Sequence, residues 1–327
     1  MRFVIYGPGA VGGTIGGRLF EHGHDVVLVA RGAHGATVAS EGLRLRTPDG
    51  DQVLRIPVVD HPQALDLGPD DVVVLAMKTQ DTEPALAALA AVAPQETPLV
   101  CAQNGVENER LALRRFPSVH AMCVMLPATF LEPGVVVSHG APLSGILDLG
   151  VAPSGTDEVS EAVATALDAS GFSSRPDPAV MRRKYAKLLM NLGNALEAAC
   201  GPTARSSDLG ARARREALAC YEAAGIDCAT TEEDAARRGG LVSVAEVPGV
   251  SRGGGSSWQS LARGLGTVEA DHLNGEIVLL GRLHGVQTPV NALLQRTANR
   301  MAREREPAGS LPVEQLLAAL GEGPAGP

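Results

Sequence analysis

At 327 residues the chain is long enough for two domains that each bury a core, and 45% hydrophobic with 20% charged residues is ordinary for a folded protein. A formal net charge of −9 argues against electrostatic nucleic-acid binding, which needs clustered Lys and Arg; Arg212, Arg214 and Arg215 lie among alanines and read as a solvated helix face. Aromatic residues make up only 3%, so the cores must be built mostly from Ala, Val and Leu.

An apolar run at 3–6 leads directly into Gly7-Pro8-Gly9-Ala10-Val11-Gly12, and helical spacing continues through Ile15, Leu19 and Phe20 to a stop at Gly23. A second apolar strand follows at 25–29, so the glycine motif lies inside a compact strand-helix-strand unit. In such a unit the first glycine permits a tight turn, the second lets backbone approach a pyrophosphate, and the third lets the helix pack closely on the strand. Gly7, Gly9 and Gly12 have that spacing, and Pro8, Ala10 and Val11 complete the loop. After the second strand the chain reads Val29-Ala30-Arg31, with no carboxylate at the place where an NAD site uses one on the ribose. Arg31 offers a guanidinium fork for a 2'-phosphate, so NADPH is the expected cofactor.

Beyond Arg31 a short helix is expected at 33–40, then hairpin strands around 43–46 and 52–56 joined through Pro48-Asp49-Gly50. The apolar run 71–77 reads as a parallel strand covered on both faces, and it ends at Lys78. Residues 84–92 read as helix and 98–102 as the next buried strand, ending at Gln103-Asn104-Gly105. Ligands of an open parallel sheet lie beyond the carboxyl ends of its strands, which puts Lys78 and Asn104 on the same edge as the glycine turn. Strands at 119–126, 134–138 and 145–149, a helix at 156–170 and an extended piece at 172–175 complete this half. Pro176-Asp177-Pro178 marks the expected domain boundary, since two prolines rule out regular structure there. The pattern then turns helical, at 180–200, 208–225, 231–238, 257–283 and 288–304, and strands essentially stop. The expected class is α/β: a Rossmann-type dinucleotide-binding domain over 1–176, an all-α domain over 177–320, and a disordered tail at 321–327.

In the helical half Lys187 and Asn191 are four apart and share a face, beside an apolar stripe of Leu188, Leu192 and Ala195. Both are poor choices for packing alone, and burial makes a lysine a usable proton donor near neutral pH. A lysine that snorkels to solvent has the same spacing. Farther on, Arg252-Gly253-Gly254-Gly255-Ser256-Ser257-Trp258 runs flexible glycines into a helix start, where free N–H groups could take a carboxylate or a serine could simply cap. Glu269 follows on the same expected helix, with Leu265, Leu273 and Ile277 at helical spacing. Cys101, Cys123, Cys200, Cys220 and Cys228 lack CxxC spacing, which suits a reducing compartment and argues against disulfides and a metal site. With no apolar run of membrane length and no basic leader before the first strand, a cytoplasmic protein with no membrane partner is expected.

Together these residues resemble the ketopantoate reductase family (2-dehydropantoate 2-reductases). The signals are Gly7 to Gly12, Arg31, Lys78, Gln103-Asn104-Gly105, Lys187-Leu188 with Asn191, Ser256-Ser257 twelve residues before Glu269, and Asn274-Gly275. The resemblance implies NADPH-dependent reduction of the 2-keto group of ketopantoate to pantoate, on the route to coenzyme A, in an interdomain cleft. It makes Lys187 the general acid, acting with Glu269, while Asn104 bridges nicotinamide and substrate. Asn191 and Ser257 would hold the substrate's hydroxyl and carboxylate ends. One position departs from the family: the usual second asparagine four residues after Asn191 is Ala195 here, and Asn194 stands one residue earlier, about 100 degrees around a helix. Either a local helix irregularity restores that amide or the substrate pocket differs. Two other readings stand beside this one: reduction of another 2-keto acid or carbonyl compound, and a non-catalytic NADP(H)-binding regulatory protein, against which Lys187 and Glu269 speak. The helical half could supply a homodimer surface or pack on itself.

Overall fold

The computed structural model describes residues 1–321. Its contacts divide the chain into two units, Met1–Lys184 with Ala229–Arg252, and Tyr185–Cys228 with the chain from Gly253 onward. The first unit opens with β1 (Arg2–Tyr6), α1 (Ala10–Glu21), β2 (Asp25–Val29) and α2 (Gly32–Glu41), then the hairpin β3 (Leu43–Thr47) and β4 (Gly50–Leu54). It continues with β5 (Val58–Val59), β6 (Asp71–Leu75), α3 (Thr82–Ala90), β7 (Leu99–Cys101), α4 (Asn108–Leu113) and β8 (Val119–Met125). Then come β9 (Ala128–Thr129), β10 (Val135–Ser138), β11 (Gly140–Pro142), β12 (Ile146–Val151) and α5 (Glu158–Asp168).

A seven-stranded sheet in the order β12-β8-β7-β6-β1-β2-β5 forms the centre of this unit, parallel throughout except for antiparallel β12 on β8. Every residue of β6 is buried, as a parallel strand covered on both faces requires. Phe3, Ile5, Val26, Leu28 and Val74 point into one apolar cluster with α1 and α5, while Val4, Val27, Val73 and Leu75 point into another with α3 and α4. Asp157 caps α5 by accepting from the Ser160 N–H at 2.8 Å, and the Ser160 hydroxyl accepts from the Asp157 N–H at 2.8 Å. Tyr6 stands opposite Val29 on one side and Leu75 on the other, and Leu75 stands opposite Cys101. The strands β1, β2, β6 and β7 therefore end level, and whatever follows them shares one edge.

α6 (Val180–Asn191) starts in the first unit and runs into the second, which holds α7 (Gly193–Cys200), a 3-10 turn at Pro202–Ser206 and α8 (Asp208–Ala224). The chain then returns to the first unit as α9 (Thr231–Arg238) and β13 (Val242–Val244). The second unit resumes with α10 (Ser256–Ala262), a 3-10 turn at Glu269–His272, α11 (Asn274–His284), α12 (Pro289–Glu304) and α13 (Val313–Ala319). Its core packs Leu196, Leu209, Leu294 and Met301 among alanines, and small side chains let α7, α8 and α12 pack closely. Glu216 on α8 accepts from the N–H groups of Val290 and Asn291 at 2.8 and 2.9 Å, which satisfies the exposed donors that open α12.

Four expectations are revised. Contacts divide the chain after Lys184 rather than at 176, because Val180 and Lys184 are buried in the first unit before α6 leaves it. Strands do not stop at 176: β13 pairs antiparallel with β11, Gly140 opposite Val244, and draws 229–252 back to the first unit. The helix expected at 257–283 is broken, since Gly264 and Gly266 take φ of +62° and +74° and Leu265 is left 45% exposed. The helix expected at 180–200 is interrupted at Leu192. Of the expected tail, 322–327 lie outside the described residues.

Candidate active site

The glycine loop has the local geometry that its spacing requires. Gly7 takes φ +89°, and a Cβ there would lie 2.7 Å from the Met77 nitrogen. At Gly12 a Cβ would lie 2.6 Å from the Gly7 oxygen and 2.8 Å from Ala76 Cβ, so α1 can sit this close to β1 and β6 only with glycine. Gly9, between them, is open: the nearest atom to a Cβ there is Phe130 Cδ1 at 3.7 Å. The Gly9 N–H donates to the Gly7 oxygen at 2.8 Å, and α1 begins at Ala10, followed by Val11. The Pro8 carbonyl accepts from His34 Nε2 at 2.8 Å, while His34 Nδ1 accepts from the Gly134 N–H at 2.9 Å. Because a backbone N–H can only donate, Nδ1 carries no proton and Nε2 is the donor. His34 also packs its ring against Phe130, with centroids 4.6 Å apart and planes tilted by 60°, and so ties the loop to α2 and to the segment before β10. These residues fit a dinucleotide: a strained turn, an open second glycine and a helix start held rigidly behind it.

Arg31 lies just beyond β2 on the same edge, its side chain 80% exposed. Its Nη2 is 3.0 Å from Asp81 Oδ1, a carboxylate fifty residues away that the local sequence around β2 does not announce. An exposed pair of this kind contributes roughly 0–1 kcal/mol, too little to hold the guanidinium against a phosphate.

Lys78 and Asn104 follow β6 and β7 on that edge, both half-buried. The Gln103 amide ties their loops, donating to the Met77 carbonyl at 2.9 Å and to the Thr82 hydroxyl at 2.8 Å. Asn108 donates to the Asn104 carbonyl at 3.1 Å and to the Thr79 hydroxyl at 3.2 Å. With Gly105 at φ +77°, these bonds fix the backbone that presents Asn104. A group that sequence reasoning missed lies underneath. Lys184 Nζ is 2.6 Å from Glu109 Oε1 and donates to the Gln103 carbonyl at 3.0 Å, with both side chains 2% exposed. Only its place one turn before Lys187 hints at this, and the partner on α4 has no sequence signal.

In the second unit Lys187 and Asn191 lie half-buried on α6, beside buried Leu188 and Leu192. The Asn191 Oδ1 is buried without a hydrogen-bond partner among the described residues. Glu269 is 5% exposed on its 3-10 turn. Ser257 is 4% exposed on α10. Ala195 belongs to the apolar core, whereas Asn194 is buried with its Nδ2 3.4 Å from Ser256 Oγ, which brings α7 to the start of α10. The helix-start N–H expected to be free for a carboxylate is not free at Gly255, where it donates to Glu197 Oε1 at 3.1 Å.

Both units match known proteins. A family model described as Ketopantoate reductase PanE/ApbA matches residues 3–153, and one described as Ketopantoate reductase PanE/ApbA C terminal matches residues 179–302. A 2-dehydropantoate 2-reductase of Halobacterium salinarum is 28% identical over 305 residues, covering 89% of this chain and 95% of that protein. The crystal structure of a PanE/ApbA family ketopantoate reductase from Ralstonia eutropha agrees with a TM-score of 0.78 at 27% identity, over 94% of this chain and 100% of that one. The ternary structure of D-mandelate dehydrogenase with NADH and anilino(oxo)acetate agrees in fold, with a TM-score of 0.79 at 21% identity over 94% of this chain and 100% of that one.

Proposed function

Because the chain belongs to the ketopantoate reductase family, and is therefore an oxidoreductase, we propose that it reduces the 2-keto group of ketopantoate to (R)-pantoate with NADPH. In this reading the first unit holds the cofactor and the second supplies the acid. Gly7 to Gly12 and the start of α1 would bind the pyrophosphate, Arg31 the 2'-phosphate, and Lys78 and Asn104 the nicotinamide end. NADPH, when bound, supplies the hydride.

Hydride addition to a keto carbon builds negative charge on its oxygen, and a lysine N–H beside that oxygen meets the charge and then gives up the proton. Lys187 has that role, with Glu269 acting beside it, and Asn104 orients the keto group. The observation that supports substrate binding most directly is the buried Oδ1 of Asn191, which has no hydrogen-bond partner among the described residues and is an acceptor suited to a substrate hydroxyl. Ser257, with Asn194 on the adjoining helix, would hold the carboxylate. A second reading keeps the chemistry and changes the 2-keto acid. Its support is Ala195, whose side chain packs in the apolar core and so leaves the pocket one amide short at that position.

The test is NADPH oxidation, followed by absorbance, with ketopantoate beside a panel of other 2-keto acids. Preferred turnover of ketopantoate is the expected result, and preference for another acid would establish the second reading. Tight NADPH binding with no turnover of any acid would leave a cofactor-binding protein without this activity. Lys187→Ala should abolish turnover and keep NADPH affinity; an unchanged rate would remove Lys187 as the acid.

A further inference from the structure

The interruption of the long helix at Leu192 is held by two side chains. Asn274 donates from Nδ2 to the Leu192 carbonyl at 3.2 Å, and Arg205, on the 3-10 turn at Pro202–Ser206, donates from Nη2 to the Met190 carbonyl at 3.0 Å. The Arg205 guanidinium lies over Gly193, where a Cβ would be 3.5 Å from its Cζ. From there its Nη1 reaches two acceptors, Glu197 Oε2 at 2.7 Å and Asn194 Oδ1 at 2.8 Å.

Arginine has no acceptor, so the Asn194 atom that faces it must be the amide oxygen. The amide nitrogen is thereby turned the other way, toward Ser256 and the start of the helix that carries Ser257. Were Arg205 absent, either face of the amide could point there. Glu197 has two further effects. It balances the guanidinium charge, and its second oxygen fixes the Gly255 N–H at 3.1 Å, so that α10 starts at a set distance from Asn194. A Cβ at residue 255 would lie 2.9 Å from Glu197 Oε2, so a side chain there would have to displace the Glu197 carboxylate.

We propose that Arg205 is a positioning residue which fixes the Asn194 amide as a hydrogen-bond donor to an oxygen of the substrate, in place of the amide that Ala195 lacks. The inference rests on the 2-keto acid reductase reading. It assigns Asn194 a stated chemistry, an amide N–H donor beside the one directed at Ser256 Oγ, suited to a carboxylate or carbonyl oxygen, and it makes the Arg205–Glu197 pair the device that sets it.

The experiment compares the wild type, Arg205→Met, Arg205→Lys and Asn194→Asp for KM and kcat with the best 2-keto acid of the panel, beside NADPH affinity and thermal midpoint. Arg205→Met frees the amide to turn, and KM should rise about tenfold, the loss of roughly one hydrogen bond, with NADPH affinity unchanged. Arg205→Lys keeps the charge without the fork and should recover part of that loss. Asn194→Asp still pairs with Arg205, so the fold is kept, but its donors are gone and KM should rise at least as far. A purely structural clamp predicts the opposite pattern, a lowered midpoint in Arg205→Met with KM unmoved in Asn194→Asp, and that result would overturn the proposal. A wild type that reduces no 2-keto acid would instead sink the parent reading, and this inference with it.

Discussion

At the scale of single residues, the proposed preference for NADPH rests on Arg31 and the carboxylate that the fold places against it. Asp81 holds the guanidinium at 3.0 Å on an exposed surface, where the pair contributes roughly 0–1 kcal/mol, while a phosphate can accept two charge-assisted bonds from the same fork. Arg31→Ala should therefore raise the Kd for NADPH about tenfold or more, with a much smaller change for NADH, in a fluorescence titration. Asp81→Asn should tighten NADPH and leave NADH unmoved. Equal losses for both cofactors in Arg31→Ala would reduce Arg31 to a solvated surface arginine. The sequence announces Arg31, because it follows a strand by a fixed interval. It does not announce Asp81, since proximity across fifty residues is made by the β1–β2 and β1–β6 pairings and leaves no local pattern. The Lys184–Glu109 pair is hidden for the same reason: a lysine and a glutamate buried together read singly as two solvated side chains.

At the scale of elements, the glycine loop separates packing from binding. A Cβ at Gly12 would press on the Gly7 oxygen and on Ala76, neither of which can move away, so Gly12→Ala should lift α1 from the sheet. The expected cost is about 1–3 kcal/mol in urea unfolding, together with lost NADPH affinity. Gly9→Ala has room, with the nearest atom at 3.7 Å, and should keep the urea midpoint while losing NADPH affinity. Normal NADPH binding by Gly9→Ala would show that no pyrophosphate approaches this backbone. Elements with a strong period were legible from the sequence: β1, α1, β2, β6 and β7 all lie where the apolar runs put them, and so the edge that carries Lys78 and Asn104 was legible as well. The breaks were not. Leu261, Leu265, Val268 and Leu273 keep apolar side chains coming across Gly264 and Gly266, and periodicity alone carries a helix through glycines that in fact take positive φ. The interruption at Leu192 is similarly silent, because what stabilises it are Arg205 and Asn274, thirteen and eighty-two residues away.

At the scale of the whole molecule, the return of 229–252 to the first unit was illegible. A three-residue strand, Val242-Ser243-Val244, gives no pattern to read, and neither does the ion pair beside it: Arg237 makes two 2.6 Å bonds to Asp148, whose side chain is 2% exposed. That return also shapes the response of the first unit to acid. His139, buried between β10 and β11, has its pKa held below 6.5 by burial first and then by the charge of Arg252, against an opposing hydrogen bond with the Ala245 backbone. Its ring nitrogen lies 2.9 Å from the Thr129 hydroxyl. Among the carboxylates that titrate low, Asp71 and Asp157 are the part-buried ones. Burial pulls Asp71 up, but bonds from Arg2 and the Gly68 N–H with the Arg2 charge outweigh it; burial pulls Asp157 up, but Ser160 and His120 outweigh it. Each of these three groups binds protons more readily unfolded than folded, so each favours the unfolded chain as pH falls. For His139 the contribution is whole above 6.5 and is lost as pH drops through its lower folded value. For Asp71 and Asp157 it is whole above 3.8 and is lost only below that. Urea midpoints measured in steps of pH should therefore begin to fall near pH 6.5 and fall again below about pH 4 as the carboxylates are protonated. His139→Gln should flatten the first decline and leave the second in place. If the variant keeps the wild-type slope between pH 6.5 and 5, the first decline belongs to another group and His139 is only a packed ring.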